Sequence, residues 1–418
     1  MSKYNITTLE NGLRVIHLPS ASPVVYCGIG IRAGARQEQA GEEGLAHFCE
    51  HVTFKGTHRR SALQILNCLE SVGGDLNAFT NKEDTVFYAA IQHEHFARAV
   101  DLLCDIVFLS EYPAQELSHE ADVICDEIES YNDSPAELIY DEFENVVFCG
   151  HPLGHNILGS RERVMGFTSD DARRFTHRYY RPENAIFFVF GDVSFTRLVR
   201  SLETFCEKYL YTTLASAAGE TLPMPATLAA AAGEALQSSP SLPTAVHHQA
   251  HVMMGCRTFS YDDPRRLPLY LLNNILGGPG MNARLNLSLR ERHGLVYTVE
   301  SAMATYSDTG CWSVYFGCDH HDVKRCMRLV RNELDRLMQH PLTARQLSAA
   351  KRQLKGQIAI ACDNREQYAL DFAKHFLHYG SERDISELLQ RIDDLTAEQL
   401  LLTAQQTFNP ACQHTIML

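Results

Sequence analysis

VFYAAIQHEHFARAVDLLCDIV, residues 86–107, and SVYFGCDHHDVKRCMRLVRNEL, residues 313–334, follow one pattern. Each opens on aromatic and β-branched residues, crosses a His-rich polar break, and continues with apolar residues at helical spacing. A strand, a turn and a helix are therefore written twice. The parallel extends outward. PAQELSHEADVICDEI (113–128) matches TARQLSAAKRQLKGQI (343–358), and the strand-like VVYCGIGIRAG (24–34) has its counterpart in HVMMGCRTF (251–259). This is duplication of one α+β unit. Strands in meander order with helices on one face predict two homologous two-layer α/β sandwiches with mostly antiparallel sheets.

The chain has 418 residues, more than one core ordinarily serves. The Ala-, Ser- and Pro-rich stretch 214–243 reads as a linker between domains at 1–213 and 244–418. With 45% apolar and 21% charged residues, the composition is that of an ordinary globular protein. The 13 cysteines include no CxxC pair and sit largely in apolar segments, which predicts reduced, buried thiols and a reducing compartment. The opening MSKYNITTLENGLRVIHL lacks the pattern of a signal or transit peptide, and no run is long enough to span a membrane. The expected location is cytoplasmic, without membrane partners. A formal net charge of −14 argues against nucleic acid as a partner.

In the first copy, residues 47–51 read HFCEH. On a helix, His47 and His51 share a face and can direct two imidazoles at one metal ion. Glu50 is offset from that line, where a base acting on water belongs. This is the HxxEH arrangement, the zinc-protease HExxH motif with chain direction reversed. The bland alternative is a pair of surface histidines on an amphipathic helix. The second copy discriminates: opposite HFCEH it has LLNNILGG (271–278), without His or Glu. A set needed only for folding would be needed in both copies.

A catalytic zinc takes three protein ligands and leaves one position open. In 118–131, Glu120 and Glu127 lie two helical turns apart, on the stripe formed by Val123, Ile124 and Ile128. Carboxylates on an inward face require a partner. A metal would supply it, and so would a buried Lys or Arg. Their counterparts in the second copy are Ala350 and Gln357.

HFCEH with Glu127 76 residues beyond His51, and Glu120 seven before that, resembles the pitrilysin/insulinase metallopeptidases. The subgroup it looks like is the two-domain one, which includes mitochondrial processing peptidase and bacterial relatives. GGDLNAFTNKEDTVFYA (73–89), HPLGHNILGS (151–160) and LNLSLRERHGLVYTVES (285–301) extend the resemblance across both halves. It implies one zinc ion per chain held by His47, His51 and Glu127, with Glu50 as general base and Glu120 supporting the site. It implies an endopeptidase that hydrolyses unfolded peptides or oligopeptides in a closed chamber. Asn77, Ala78 and Phe79 would lie on an edge strand that pairs with an extended peptide. Read from the residues alone, they form an ordinary strand.

Arg290 and Tyr297 would bind the substrate backbone, although the residues alone suggest a surface cation and a half-buried strand aromatic. The resemblance further implies a homodimer in which Arg290 and Tyr297 serve the partner's zinc. The competing reading is a non-catalytic structural or substrate-binding subunit of the same family. The intact HFCEH, Glu120 and Glu127 oppose it.

Overall fold

The computed structural model describes residues 4–210, 248–381 and 384–418, so the linker expected at 214–243 lies outside the described residues. Two sheets organise the chain. The first is built from β1 (Asn5–Thr8), β2 (Arg14–Pro19), β3 (Val24–Ile31), β4 (Asp75–Thr80), β5 (Thr85–Gln92) and β6 (Ala185–Gly191), in the order β1-β2-β6-β3-β5-β4. Only the β2–β6 pair is parallel. The second contains β7 (Ala250–Thr258), β8 (Val296–Thr305), β9 (Gly310–Cys318) and β10 (His414–Met417), all antiparallel in the order β10-β7-β9-β8. The order β6-β3-β5-β4 is thus repeated strand for strand, as duplication requires.

Helices α1 (Leu45–Thr53), α2 (Ala62–Glu70), α3 (Phe96–Phe108) and α4 (Ala114–Asn132) accompany the first sheet; α1 carries HFCEH, and α3 is the helix expected after the His-rich break. Val15, Cys27, Ile29, Phe87 and Phe187 face the first core with α1 and α3. Their alternates Ile16, Val86, Ile186 and Phe188 face the other way. Both faces of this sheet are therefore apolar, and both need cover. The second cover is the helix Arg365–Tyr379, which buries Ala369, Phe372, Ala373 and Phe376 against the back face. It adds a third layer to the two-layer expectation. Helix α5 (Pro135–Val147) serves the second sheet in the same way, through Ile139, Phe143 and Val147.

The compact units are consequently not contiguous in sequence. Among the described residues, the first draws on 4–128, 156–210 and 364–381, and the second on 129–155, 248–363 and 384–418. A single cut at a linker does not reproduce them. Among the described residues no helix is long and apolar enough to cross a membrane, and all 13 cysteines are free.

Asp84 anchors the back helix. Its buried carboxylate accepts from His378 Nε2 at 3.1 Å and Asn81 Nδ2 at 2.7 Å, with Lys374 Nζ at 3.7 Å. Burial alone would raise its pKa, but the His378 hydrogen bond and the Lys374 charge outweigh burial and hold it below the usual carboxylate range. A depressed carboxylate pKa contributes stability that is present above the unfolded value near 4 and lost as pH falls through the folded value. Asp84→Asn is expected to cost about 1.5–3 kcal/mol at pH 7. In urea titrations at stepped pH, the gap to wild type should close below pH ~4.

Candidate metal centre

Helix α1 starts at Gly44, whose φ of 96° suits glycine. The Glu38 carboxylate accepts from the backbone N–H groups of Gly44 at 3.0 Å and Ala46 at 2.7 Å, capping the positive end of the helix. Gly159, in the HPLGHNILGS stretch, packs so closely on this start that an added Cβ would lie 2.8 Å from Gly44 Cα. Leu45, Phe48, Cys49 and Val52 lock α1 into the core. With those side chains fixed inward, His47, Glu50 and His51 emerge together on a neighbouring stripe.

Helix α4 meets that stripe. Its buried residues are Leu117, Glu120, Ala121, Ile124, Cys125 and Ile128. Val123, expected on the stripe, is 51% exposed, and the Glu127 side chain is 38% exposed rather than sealed inside. Glu127 Oε2 lies 3.8 Å from His47 Nε2 and 3.5 Å from His51 Nε2. One donor atom from each of the three residues falls within a 4.8 Å set. Ligand atoms around a tetrahedral zinc stand about 3.3 Å apart, so this donor set fits the ion with small adjustments. His47 Nδ1 is buried without a hydrogen-bond partner, and burial followed by the His51 charge pushes its pKa down to about 3. The ring is neutral at pH 7, the form that binds a metal.

Glu120 supports His51. Its Oε1 accepts from His51 Nδ1 at 3.0 Å, and its Oε2 pairs with Lys55 Nζ at 2.5 Å. This leaves His51 Nε2 free to face Glu127. Burial would lower the His51 pKa, but the Glu120 hydrogen bond and the charges of Glu50, Glu120 and Glu127 raise it. The two sequence alternatives for the acids thus apply to different residues: Glu120 has a lysine, and Glu127 completes the donor set. Glu120→Gln is expected to weaken zinc binding about 10–100-fold, measured by competition with a chromogenic chelator.

Glu50 is buried, and Thr80 Oγ1 donates to its Oε2 at 2.5 Å. Burial raises its pKa, the Thr80 bond and His51 pull it down, and the net shift is upward. Lys55 and Thr80 escaped sequence reading. Lys55 stands in the turn just past the end of α1, four residues after His51, and Thr80 follows Phe79 on the alternate face of its strand.

Asn77, Ala78 and Phe79 do lie on an edge strand, β4, opposite Tyr88, Phe87 and Val86. Ala78 and Thr80 face the α1 side, whereas Phe79 packs with the back-face cluster. Arg290 and Tyr297 belong to the second unit. Arg290 sits on a π-helical turn, Asn286–Glu291. Its guanidinium carbon is 5.7 Å from the Tyr297 ring centroid. Tyr297 is 81% exposed, not half-buried, because the β8–β9 register shifts between Val296 and Val299. A second group, Asp319, His321 and Asp322, is largely exposed.

Two family profiles match, Insulinase (Peptidase family M16) over residues 14–161 and Peptidase M16 inactive domain over residues 166–354. An uncharacterized zinc protease of Streptomyces coelicolor is 31% identical over 96% of this chain and 86% of its own length. The chain belongs to peptidase family M16. A further M16 relative, an uncharacterized zinc protease of Bacillus subtilis, is 29% identical over 96% of this chain and 95% of its own. The fold matches a protease from Helicobacter pylori with a TM-score of 0.88 at 21% identity, covering 100% and 99% of the two chains. A peptidase M16 inactive domain from Pseudomonas fluorescens gives 0.82 at 18% identity, covering 99% and 97%. The profile named as the inactive domain, 166–354, includes the stretch 271–278, which lacks His and Glu.

Proposed function

We propose that this chain is a zinc-dependent endopeptidase, binding one zinc ion through His47, His51 and Glu127. The convergence of three donor atoms beside a buried carboxylate of raised pKa carries the reading. Zinc bound there supplies Lewis acidity, which polarises a scissile carbonyl and makes water a better nucleophile near neutral pH. Glu50 accepts the proton from the attacking water and delivers it to the departing amine nitrogen. Its raised pKa suits that two-way traffic, and Thr80 keeps one carboxylate oxygen fixed so that the other turns toward water. The β4 edge offers backbone groups to an extended peptide, which favours unfolded chains over folded ones.

The same reading has the chain acting in the cytoplasm as a homodimer that encloses its substrate, with Arg290 and Tyr297 holding the peptide backbone across subunits. Metal analysis and hydrolysis of a mixed peptide library test the catalytic part. Stoichiometric zinc is expected, with turnover removed by chelation and restored by zinc. Activity that persists in zinc-free protein would refute it. Mixing Arg290→Ala with Glu50→Gln chains tests the sharing of sites, since only a shared site recovers activity.

A further inference from the structure

The duplicated halves differ at one place on their back faces. Tyr88 of β5 and Tyr315 of β9 occupy equivalent positions in the repeated stretches. Their edge-strand partners are Asn77 and Glu300. The covering helices also correspond. Both start at an N-cap, Ser134 or Asn364, and bury Ile139, Phe143 and Val147 in one, Ala369, Ala373 and Leu377 in the other. That register puts Tyr140 opposite Leu370. In the second unit Tyr140 fills the space beside the edge strand: its ring lies 5.5 Å from Tyr315, and its hydroxyl donates to Glu300. In the first unit the shorter Leu370 leaves the space open. A cavity of ≈510 Å³ remains, lined by Phe79, Tyr88, Glu366, Leu370 and Lys374 among others.

The cavity is polar and aromatic. Tyr88 donates to Glu366 Oε1 at 2.9 Å, and the Phe79 and Tyr88 rings are 6.1 Å apart. Lys374 Nζ lies 4.6 Å from the Phe79 centroid. It opens beside β4, the free edge of the sheet. A peptide strand added there sends alternate side chains to opposite faces. One set faces the α1 side, with Ala78 and Thr80. The other set faces this cavity.

We infer that the cavity is a specificity subsite for an aromatic side chain, tyrosine above all, borne by a peptide paired with β4. The inference rests on the peptidase reading for its ligand class, and the second unit supplies the precedent for its contents. A ring entering the slot packs at a tilt against Tyr88 as Tyr140 does against Tyr315, and a phenol hydroxyl finds Glu366 as an acceptor. The residue selected is one that alternates with those facing the metal.

The test uses the full-length, zinc-loaded Glu50→Gln protein and a fluorescein-labelled decapeptide of Ala, Ser and Gly carrying one Tyr or Ala. Anisotropy should give about tenfold tighter binding for the Tyr peptide, in keeping with burial of one aromatic ring. Adding Leu370→Tyr, which fills the slot from within, should erase the difference. Tyr88→Ser, which removes the aromatic wall, should shrink it and guards against misfolding of the first variant. Thermal unfolding and zinc content check both. Equal binding of the two peptides, or a Tyr preference that survives both variants, overturns the subsite. A Tyr preference lost in Leu370→Tyr, found together with a wild type that cleaves nothing, overturns the peptidase reading and leaves the subsite standing.

Discussion

Glu50→Gln is expected to keep its zinc and lose peptide hydrolysis by about 10²–10⁴-fold, the range for removing a positioned general base. The change is nearly isosteric, and the amide oxygen can still accept from Thr80 Oγ1, which now sits 2.5 Å from the carboxylate. The side chain is no donor to the set formed by His47, His51 and Glu127. Metal content should therefore equal that of wild type. Stability should hold or rise, because burial opposes the charge that the substitution removes. Turnover within about threefold of wild type, at full zinc occupancy, would exclude Glu50 as the base.

The second large effect concerns stability. Asp105 on α3 is fully buried; Arg60, in the loop between α1 and α2, is its close ion-pair partner, and Arg59 Nη1 lies 3.8 Å from its other carboxylate oxygen. Thr57 Oγ1 also donates to Asp105 at 3.1 Å. Arg60 reaches Asp101 too, and Arg59 grips Asp101 with both terminal nitrogens while lying 4.4 Å from the Tyr209 ring centroid. Removing Arg60 leaves the buried Asp105 charge only Thr57 and the longer Arg59 contact. Arg60→Ala is thus expected to cost about 3–5 kcal/mol, read as a lower urea midpoint. Adding Asp105→Leu should restore most of it, because an apolar pair replaces a buried ionic one at little cost. If the double variant is no more stable than Arg60→Ala, the loss comes from the loop rather than from the stranded charge.

Much of this was legible in the sequence, for reasons that also mark the limit. Duplicated patterns predicted the duplicated sheets, because alternation and helical spacing are local properties. HFCEH on one helix and two acids seven apart on another place their side chains by periodicity alone. What periodicity could not give was contact at long range. The back cover of the first sheet, Arg365–Tyr379, is remote in sequence, although the unbroken apolar run AIFFVFG of β6 announces that both faces are buried. Lys55 and Thr80 look like ordinary polar residues until Glu120 and Glu50 are brought to them. Val123 was misassigned because an apolar residue at a plausible helical position need not be buried. Tyr297 was misassigned because a register shift re-aims it, and register is a property of two strands rather than one.

The helix Arg365–Tyr379 also bears on the order in which the first unit can assemble during synthesis. The last strand of the first sheet ends at Gly191, yet the cover for its back face arrives only with Tyr379. At about 5–20 residues per second, synthesis leaves that face bare for roughly ten to forty seconds. A nascent chain therefore carries His47, Glu50, His51 and Glu127 well before the layer that covers their sheet has left the ribosome. The first unit cannot close its back face until residue 379 has been made, and a product truncated before that point keeps an uncovered apolar sheet.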